Sequence, residues 1–135
     1  MSRIYQVEPV PKPRMTRRDK WTQRKCVLDY WRYKDLIRAK KIELPEAGAW
    51  VIFVLPMPAS WSKKKKAAYN LTPHKQRPDK DNLEKGLLDA LFDEDSHIWD
   101  LRASKVWGYR GSIIVKKQSI DIQELNHEHK KNKST

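Results

Sequence analysis

Seven consecutive apolar residues, Ala49 to Leu55, constrain the fold more than any other part of this 135-residue chain. The run is rich in β-branched and aromatic side chains and does not alternate with polar residues, which is typical of a strand buried on both faces. Pro56 and Pro58 follow it and end it. We therefore expect a sheet in which residues 49–55 form a central strand.

Two segments have the spacing of three or four residues between apolar side chains that is typical of amphipathic helices. Over residues 22–41 the apolar positions are Cys26, Tyr30, Tyr33 and Ile37, with Val27 and Trp31 beside them. Over residues 81–92 they are Leu83, Leu87 and Leu91, with Leu88 adjacent. These patterns predict two main helices, each with one buried face.

Shorter apolar patterns predict strands over residues 4–7, 98–109 and 112–122. The last two are joined by Gly108-Tyr109-Arg110-Gly111, which predicts a hairpin. We therefore expect one small α/β (α+β) domain over residues 1–125, with a mixed sheet of about four strands. The polar residues 126–135 are expected to form a disordered tail.

The chain is strongly basic, with 29 Lys and Arg against 17 Asp and Glu, a net charge of +12 and a pI near 9.9. This balance favours a nucleic-acid partner, although a basic pI also fits ribosomal and membrane-surface proteins. The basic residues concentrate in a proline-rich arm, 9–21, and a lysine-rich link, 60–78. The expected DNA contacts are Lys12, Arg14, Arg17, Arg18, Lys63, Lys64, Lys65, Lys66, Arg77 and Lys80. A solvated basic surface is the alternative for both segments.

Residues 79–100 are the exception, because eight acids and two bases give them a local charge of −6. Asp79 and Asp81 stand at the start of the second predicted helix, and Lys85 follows one turn later on the same face as Asp81. Carboxylates at this position suit Mg²⁺, which prefers oxygen ligands, and the lysine suits the charge that develops on a phosphate during hydrolysis. A third ligand is available in the acidic run 93–95. Helix capping by Asp79 and Asp81 is the alternative.

Several classes of protein are disfavoured. Cys26 is the single cysteine, which excludes an intramolecular disulfide, and we expect it to be a small buried hydrophobe. No glycine-rich phosphate loop is present, which argues against a nucleotide cofactor. No apolar stretch approaches the roughly 20 residues of a membrane span. We therefore expect a soluble protein of the cytoplasm.

The motif Arg77-Pro78-Asp79-Lys80-Asp81-Asn82-Leu83-Glu84-Lys85, with Leu88-Asp89-Ala90-Leu91 and Asp95-Ser96-His97-Ile98, resembles the RusA family of Holliday junction resolvases, especially its prophage members. The resemblance implies a homodimeric magnesium-dependent endonuclease, with Mn²⁺ as a substitute metal. Such an enzyme binds four-way DNA junctions and nicks two opposed strands symmetrically, in recombination and repair.

The resemblance also implies the site residues. The metal-binding aspartates are Asp79, Asp81 and Asp95, with Glu94 as a possible ligand, and the essential lysine is Lys85. Lys80 and His97 replace residues that are common in the family, and Asp93 lengthens the acidic run, so the third ligand stays open among Asp93, Glu94 and Asp95. A non-catalytic DNA-binding module and a nuclease for another branched DNA are the alternative functions.

Overall fold

The structure is a computed structural model that describes residues 2–14 and 24–118. The predictions for Arg17, Arg18 and the tail 126–135 lie outside the described residues. The far end of the last predicted strand, beyond residue 118, also lies outside them.

Four strands and three helices make up the described part of the chain. In chain order they are β1 (Ser2–Tyr5), α1 (Lys25–Ala39), β2 (Ala49–Pro56), α2 (Lys63–Tyr69), α3 (Lys80–Leu91), β3 (Leu101–Gly108) and β4 (Ser112–Lys117). The strands form one mixed sheet in the order β1-β4-β2-β3, in which only the β2–β3 pair is parallel. The predicted α+β class, the mixed four-stranded sheet and the central position of residues 49–55 are confirmed.

The predicted hairpin between residues 98–109 and 112–122 is wrong. β3 and β4 lie on opposite sides of β2, so that Val51 is opposite Ala103 on one side and Val115 on the other. β2 thus has a partner along each of its edges, as expected of a central strand. The Gly108–Gly111 connection therefore crosses the end of β2, where the Met57 amide donates a hydrogen bond to the Gly108 carbonyl at 3.0 Å.

A second difference is α2, which falls in the segment expected from sequence to be a lysine-rich link. Ser62 is its N-cap, and its side-chain oxygen accepts a hydrogen bond from the Lys65 amide at 3.1 Å. Four lysines and two alanines follow, and both residue types have high helix propensity. The serine followed by strong helix formers was the sequence signal for this helix.

The core lies between one face of the sheet and the helices α1 and α3. β2 contributes Val51, Phe53 and Leu55, and α3 contributes Leu83 and Leu87. The predicted leucine stripe of α3 is therefore confirmed, with Leu91 partly buried against the same cluster.

The buried face of α1 differs from the prediction at one end. Tyr30, Tyr33 and Ile37 are buried as expected, whereas Cys26 is exposed and its neighbour Val27 is fully buried. Val27 lies three residues before Tyr30 and Cys26 lies four residues before it, so either residue fits the helical spacing of the buried face. No helix in the described ranges has the length and hydrophobicity needed to cross a membrane.

Candidate active site

The N-terminal end of α3 presents the two predicted aspartates to solvent. Asp79 is the N-cap residue, with extended backbone angles (φ −69°, ψ 145°), and Asp81 lies in the first turn. The Asp79 side chain makes no capping hydrogen bond; only its carbonyl participates, accepting from the Leu83 amide at 3.2 Å. The capping interpretation of Asp79 is therefore not supported.

Both carboxylates are exposed, and neither forms a hydrogen bond or an ion pair with another residue in the described ranges. Lys85, one turn beyond Asp81, is also exposed and lacks an ion-pair partner there. The adjacent Lys80 differs, since its ammonium lies 3.9 Å from the Glu84 carboxylate. The helix thus leaves two carboxylates and one ammonium free to meet a ligand.

Lys105 on β3 holds the chain that leads into this end of α3. Its ammonium donates hydrogen bonds to the Pro78 carbonyl at 2.6 Å and to the Gln76 carbonyl. Because Pro78 directly precedes Asp79, these bonds restrict where the Asp79 carboxylate can lie. Lys105 was not recognised from the sequence, because it is one of two cations in a partly apolar strand and neither stands near the motif in the chain.

The proline-rich N-terminal segment crosses α3 next to the aspartates. The Lys12 amide donates to the Asn82 carbonyl at 3.2 Å, and the Lys12 ammonium pairs with the Asp89 carboxylate. Lys12, expected from sequence to contact DNA, is thus engaged with α3 in the structure. The segment approaches so closely because Gly86 has no side chain: a Cβ there would lie 2.9 Å from the Val10 carbonyl oxygen.

Tyr30 of α1 contacts the same part of α3. Its hydroxyl donates a hydrogen bond to the Gly86 carbonyl at 2.9 Å. Burial raises the pKa of Tyr30 to about 12, and the nearby Asp89 charge adds to the shift. The phenol therefore stays protonated as a donor over the whole neutral range. Like Lys105, Gly86 was not singled out in the sequence, because its partners are distant in the chain.

An open cleft of about 470 Å³ lies beside Asp79. It is lined by Pro11, Lys12, Arg77, Pro78, Asp79 and Asn82. Asp79 and Arg77 both line the cleft, whereas Lys12 lines it with its ammonium already paired with Asp89. A phosphodiester requires both kinds of charge, since cations bind its oxygens and carboxylates hold the metal that activates it.

The acidic run after α3 lies at the other end of the helix. The 12 residues of α3 span about 18 Å, since an α-helix rises about 1.5 Å per residue. The Asp93 carboxylate lies 3.8 Å from the Arg38 guanidinium. The Glu94 carboxylate accepts a hydrogen bond from the Ser96 amide, and Asp95 is half-buried. Over residues 2–14 and 24–118 no three His, Cys, Asp or Glu side chains are grouped closely enough to hold a metal ion.

A single chain, as far as it is described, therefore does not bring Asp79, Asp81 and Asp95 together. The two aspartates at the N-terminal end of α3 nevertheless fit Mg²⁺ by their chemistry. This ion usually takes one or two protein carboxylates and keeps waters and substrate oxygens as its other ligands. Two exposed carboxylates without a partner in the described chain meet that requirement.

The predicted basic surface is formed by α2 and the residues after it. Residues 60–78 carry six Lys and Arg and no Asp or Glu. Lys63, Lys64 and Lys65 are exposed, and the Lys65 ammonium lies 4.2 Å from the centre of the Trp61 ring. Arg77 extends this surface to the cleft. Arg14, at the end of the described arm, is exposed, and its carbonyl accepts a hydrogen bond from the Arg24 side chain.

A basic α+β domain with free carboxylates at the start of a helix has the features of an enzyme that cleaves phosphodiesters in nucleic acid. The family model of the endodeoxyribonuclease RusA matches residues 5–117. The chain therefore belongs to the RusA endodeoxyribonuclease family, which confirms the resemblance carried by the motif at 77–98. A comparison with curated proteins gave no match.

Membership in this family implies a phosphodiester hydrolase that cuts DNA internally, of the Holliday junction resolvase type, with branched DNA as its substrate.

Proposed function

We propose that the protein is a magnesium-dependent endodeoxyribonuclease that resolves Holliday junctions by paired symmetrical nicks during recombination and repair. The observation that carries the proposal is the N-terminal end of α3. There the Asp79 and Asp81 carboxylates are exposed and unpaired within the described chain, and Asp79 lines a cleft shared with Lys12 and Arg77.

Each side chain of this end has a distinct role. Asp79 and Asp81 would hold Mg²⁺, or Mn²⁺ in its place, and the bound ion supplies Lewis-acid polarisation of the phosphate and a more acidic water. Lys85 lies one helical turn from Asp81, where its ammonium stabilises negative charge that develops on the phosphate oxygens. Arg77 binds the neighbouring phosphate as a bidentate donor.

The third acid is supplied by a second copy of the chain. Within one chain, Asp79 and Asp81 lie at the start of α3, which is about 18 Å long, whereas Asp95 follows its other end. A homodimer can instead place the acidic run 93–95 of one copy at the N-terminal end of α3 of the other. The two-fold axis of such a dimer also suits a substrate with two opposed strands to be cut.

DNA binding is provided by the basic surface of residues 60–78 together with Lys80. Because these side chains neutralise phosphates and release counterions, affinity should fall steeply as salt is raised. The exposed Lys63 and Lys64 should act on junctions and linear duplexes alike, since phosphate contacts carry no information about branching.

The first test substitutes one aspartate. Asp81→Asn should abolish nicking of a synthetic four-way junction in magnesium while junction affinity is unchanged. Asp35→Asn, the same change at an exposed aspartate on α1, is the matched control and should cut at the wild-type rate. An Asp81→Asn protein that cuts normally would contradict the site.

A flapped substrate in the same assay tests whether another branched DNA is preferred. Junction binding by the wild-type protein without any magnesium-dependent product would favour the non-catalytic DNA-binding module.

A mixing experiment tests the shared site. Asp81→Asn and Asp95→Asn should each be inactive alone. In a mixed dimer with a shared arrangement, one site carries both substitutions and the other carries neither, so mixing should restore cleavage of one strand per junction. If both ligands of a site came from the same chain, every site in the mixture would carry a defect and no activity would return.

A further inference from the structure

The turn that follows α2 has an unusual residue at its sharpest position. Asn70 (φ −57°, ψ 127°) and Leu71 (φ 61°) are its central residues, and the Thr72 amide donates to the Tyr69 carbonyl at 3.0 Å. This is the pattern of a type II turn, whose third position requires a positive φ and favours glycine or asparagine. Leucine is disfavoured there, because its Cβ crowds the backbone at positive φ.

The turn is firmly attached to the sheet. The Leu71 amide donates to the Trp107 carbonyl at 2.8 Å, and the Trp107 amide donates to the Thr72 carbonyl at 3.0 Å. These bonds pair the turn with the outer edge of β3. The Leu71 side chain is nevertheless 64% exposed, and that of Tyr69 is 44% exposed. Core packing therefore does not account for an apolar residue at this position.

An aromatic cluster supports Tyr69 from one side. The Trp61 ring lies 5.3 Å from the Tyr69 ring and 4.8 Å from the Trp107 ring, measured between centroids. The Lys65 ammonium lies over both Trp61 and Tyr69, at 4.2 and 5.8 Å from their ring centres. Tyr69 is thus held in place at the edge of a cluster whose other members are more buried.

The charge around this apolar tip, formed by Tyr69 and Leu71, identifies the kind of partner. The tip lies in the segment 60–78, which carries six cations and no acid, and it follows the lysines of α2 directly. A polyanion that also offers apolar surface fits such a site. DNA has both, but the faces of its bases are accessible only where stacking is interrupted, as at a branch point.

We propose that Tyr69 and Leu71 contact the faces of bases exposed at the branch point of the DNA, while the lysines of α2 bind the flanking phosphates. The proposal rests on the proposed function in taking branched DNA as the ligand. It adds the residues that distinguish branched from linear DNA, a distinction that phosphate contacts alone do not make.

The test uses Leu71→Gly, which removes the side chain and suits the positive φ of the turn. The variant should melt at or above the wild-type temperature, so folding is not in question. Binding is measured in EDTA, without cleavage, to a four-way junction carrying 2-aminopurine at the branch point and to a linear duplex of the same sequence. Junction affinity should fall about tenfold, with duplex affinity unchanged, because one base contact is lost.

The fluorescence change of 2-aminopurine on binding should also be lost with Leu71→Gly and with Tyr69→Ala. Leu36→Gln is the matched control, since Leu36 is an exposed leucine on α1 that is 50% accessible, and it should behave as wild type. An equal loss of affinity for junction and duplex, or unchanged junction affinity and fluorescence, would overturn the proposal.

Nicking in magnesium is scored separately. A wild-type protein that binds the junction through the tip but never nicks it would contradict the proposed nuclease alone. A wild-type protein that binds no junction would contradict both proposals.

Discussion

Gly86→Ala is expected to destabilise the protein although it replaces glycine in the middle of a helix. A Cβ at this position would lie 2.9 Å from the Val10 carbonyl oxygen and 3.1 Å from the Lys12 nitrogen. Both atoms belong to the main chain, so the contact cannot be relieved by rotating a side chain. The N-terminal segment would have to move away from α3.

The size of the effect follows from three contributions. Helix propensity alone favours alanine over glycine by about 1 kcal/mol. Forcing an extra methyl group into a packed contact costs about 1–3 kcal/mol. Displacing the segment also breaks the hydrogen bond from the Lys12 amide to the Asn82 carbonyl, which contributes about 1 kcal/mol. The net loss of unfolding free energy should therefore be about 2 kcal/mol.

Urea unfolding followed by tryptophan fluorescence measures this difference. Ala68→Gly, at an exposed position of α2, calibrates the alanine–glycine difference in this protein where no contact interferes. If Gly86→Ala were instead more stable than wild type by about 1 kcal/mol, propensity alone would decide the outcome. The close packing of the N-terminal segment on α3 would then be refuted.

Two further substitutions test the surroundings of the site. Lys105→Met should lower the unfolding free energy measured in urea by about 2 kcal/mol, because the Gln76 and Pro78 carbonyls lose a charged donor. The same variant should reduce kcat for junction cleavage more than it reduces junction affinity. The pKa of His74 is lowered in the folded protein by burial and by the Lys105 charge. The unfolded chain therefore binds a proton at His74 more readily than the folded protein does. The unfolding free energy should decrease as pH falls below about 6.5. Thermal melts from pH 7.5 to 5 should show a shallower decrease for His74→Asn, while the exposed-site control His97→Asn keeps the wild-type slope.

Much of the fold could be predicted because its signals are local. The unbroken apolar run identified β2 and its central position, and the leucine spacing identified α3 to within one residue at each end. The hairpin prediction failed because β3 and β4, although close in sequence, each pair with β2 instead of with one another. Turn residues do not reveal which strand is the better partner.

The site was predictable where its chemistry is carried by neighbouring residues. Asp79, Asp81 and Lys85 lie within seven residues, and Pro78 marks where their helix begins. Gly86 could not be recognised, because its role depends on a segment more than 70 residues earlier in the chain. The same holds for Lys105, which lies 27 residues from the carbonyl of Pro78 that it holds.

The third acid could not be chosen from sequence because spacing along one chain does not determine which acid meets Asp79 and Asp81. In the described chain, none of the acids in 93–95 completes a group of three with them. In the proposed dimer, the third acid would be chosen by how the two copies pack at their interface.

The most direct test of the central claim is cleavage of a synthetic four-way junction by the purified wild-type protein. Each of the four strands is labelled in turn, a linear duplex is run beside the junction, and every reaction is done with magnesium and with chelator. We predict nicks at symmetrical positions in two opposed strands, only on the junction and only with magnesium. Nicks that appear equally on the linear duplex, or no nicks on any substrate, would contradict a magnesium-dependent junction resolvase.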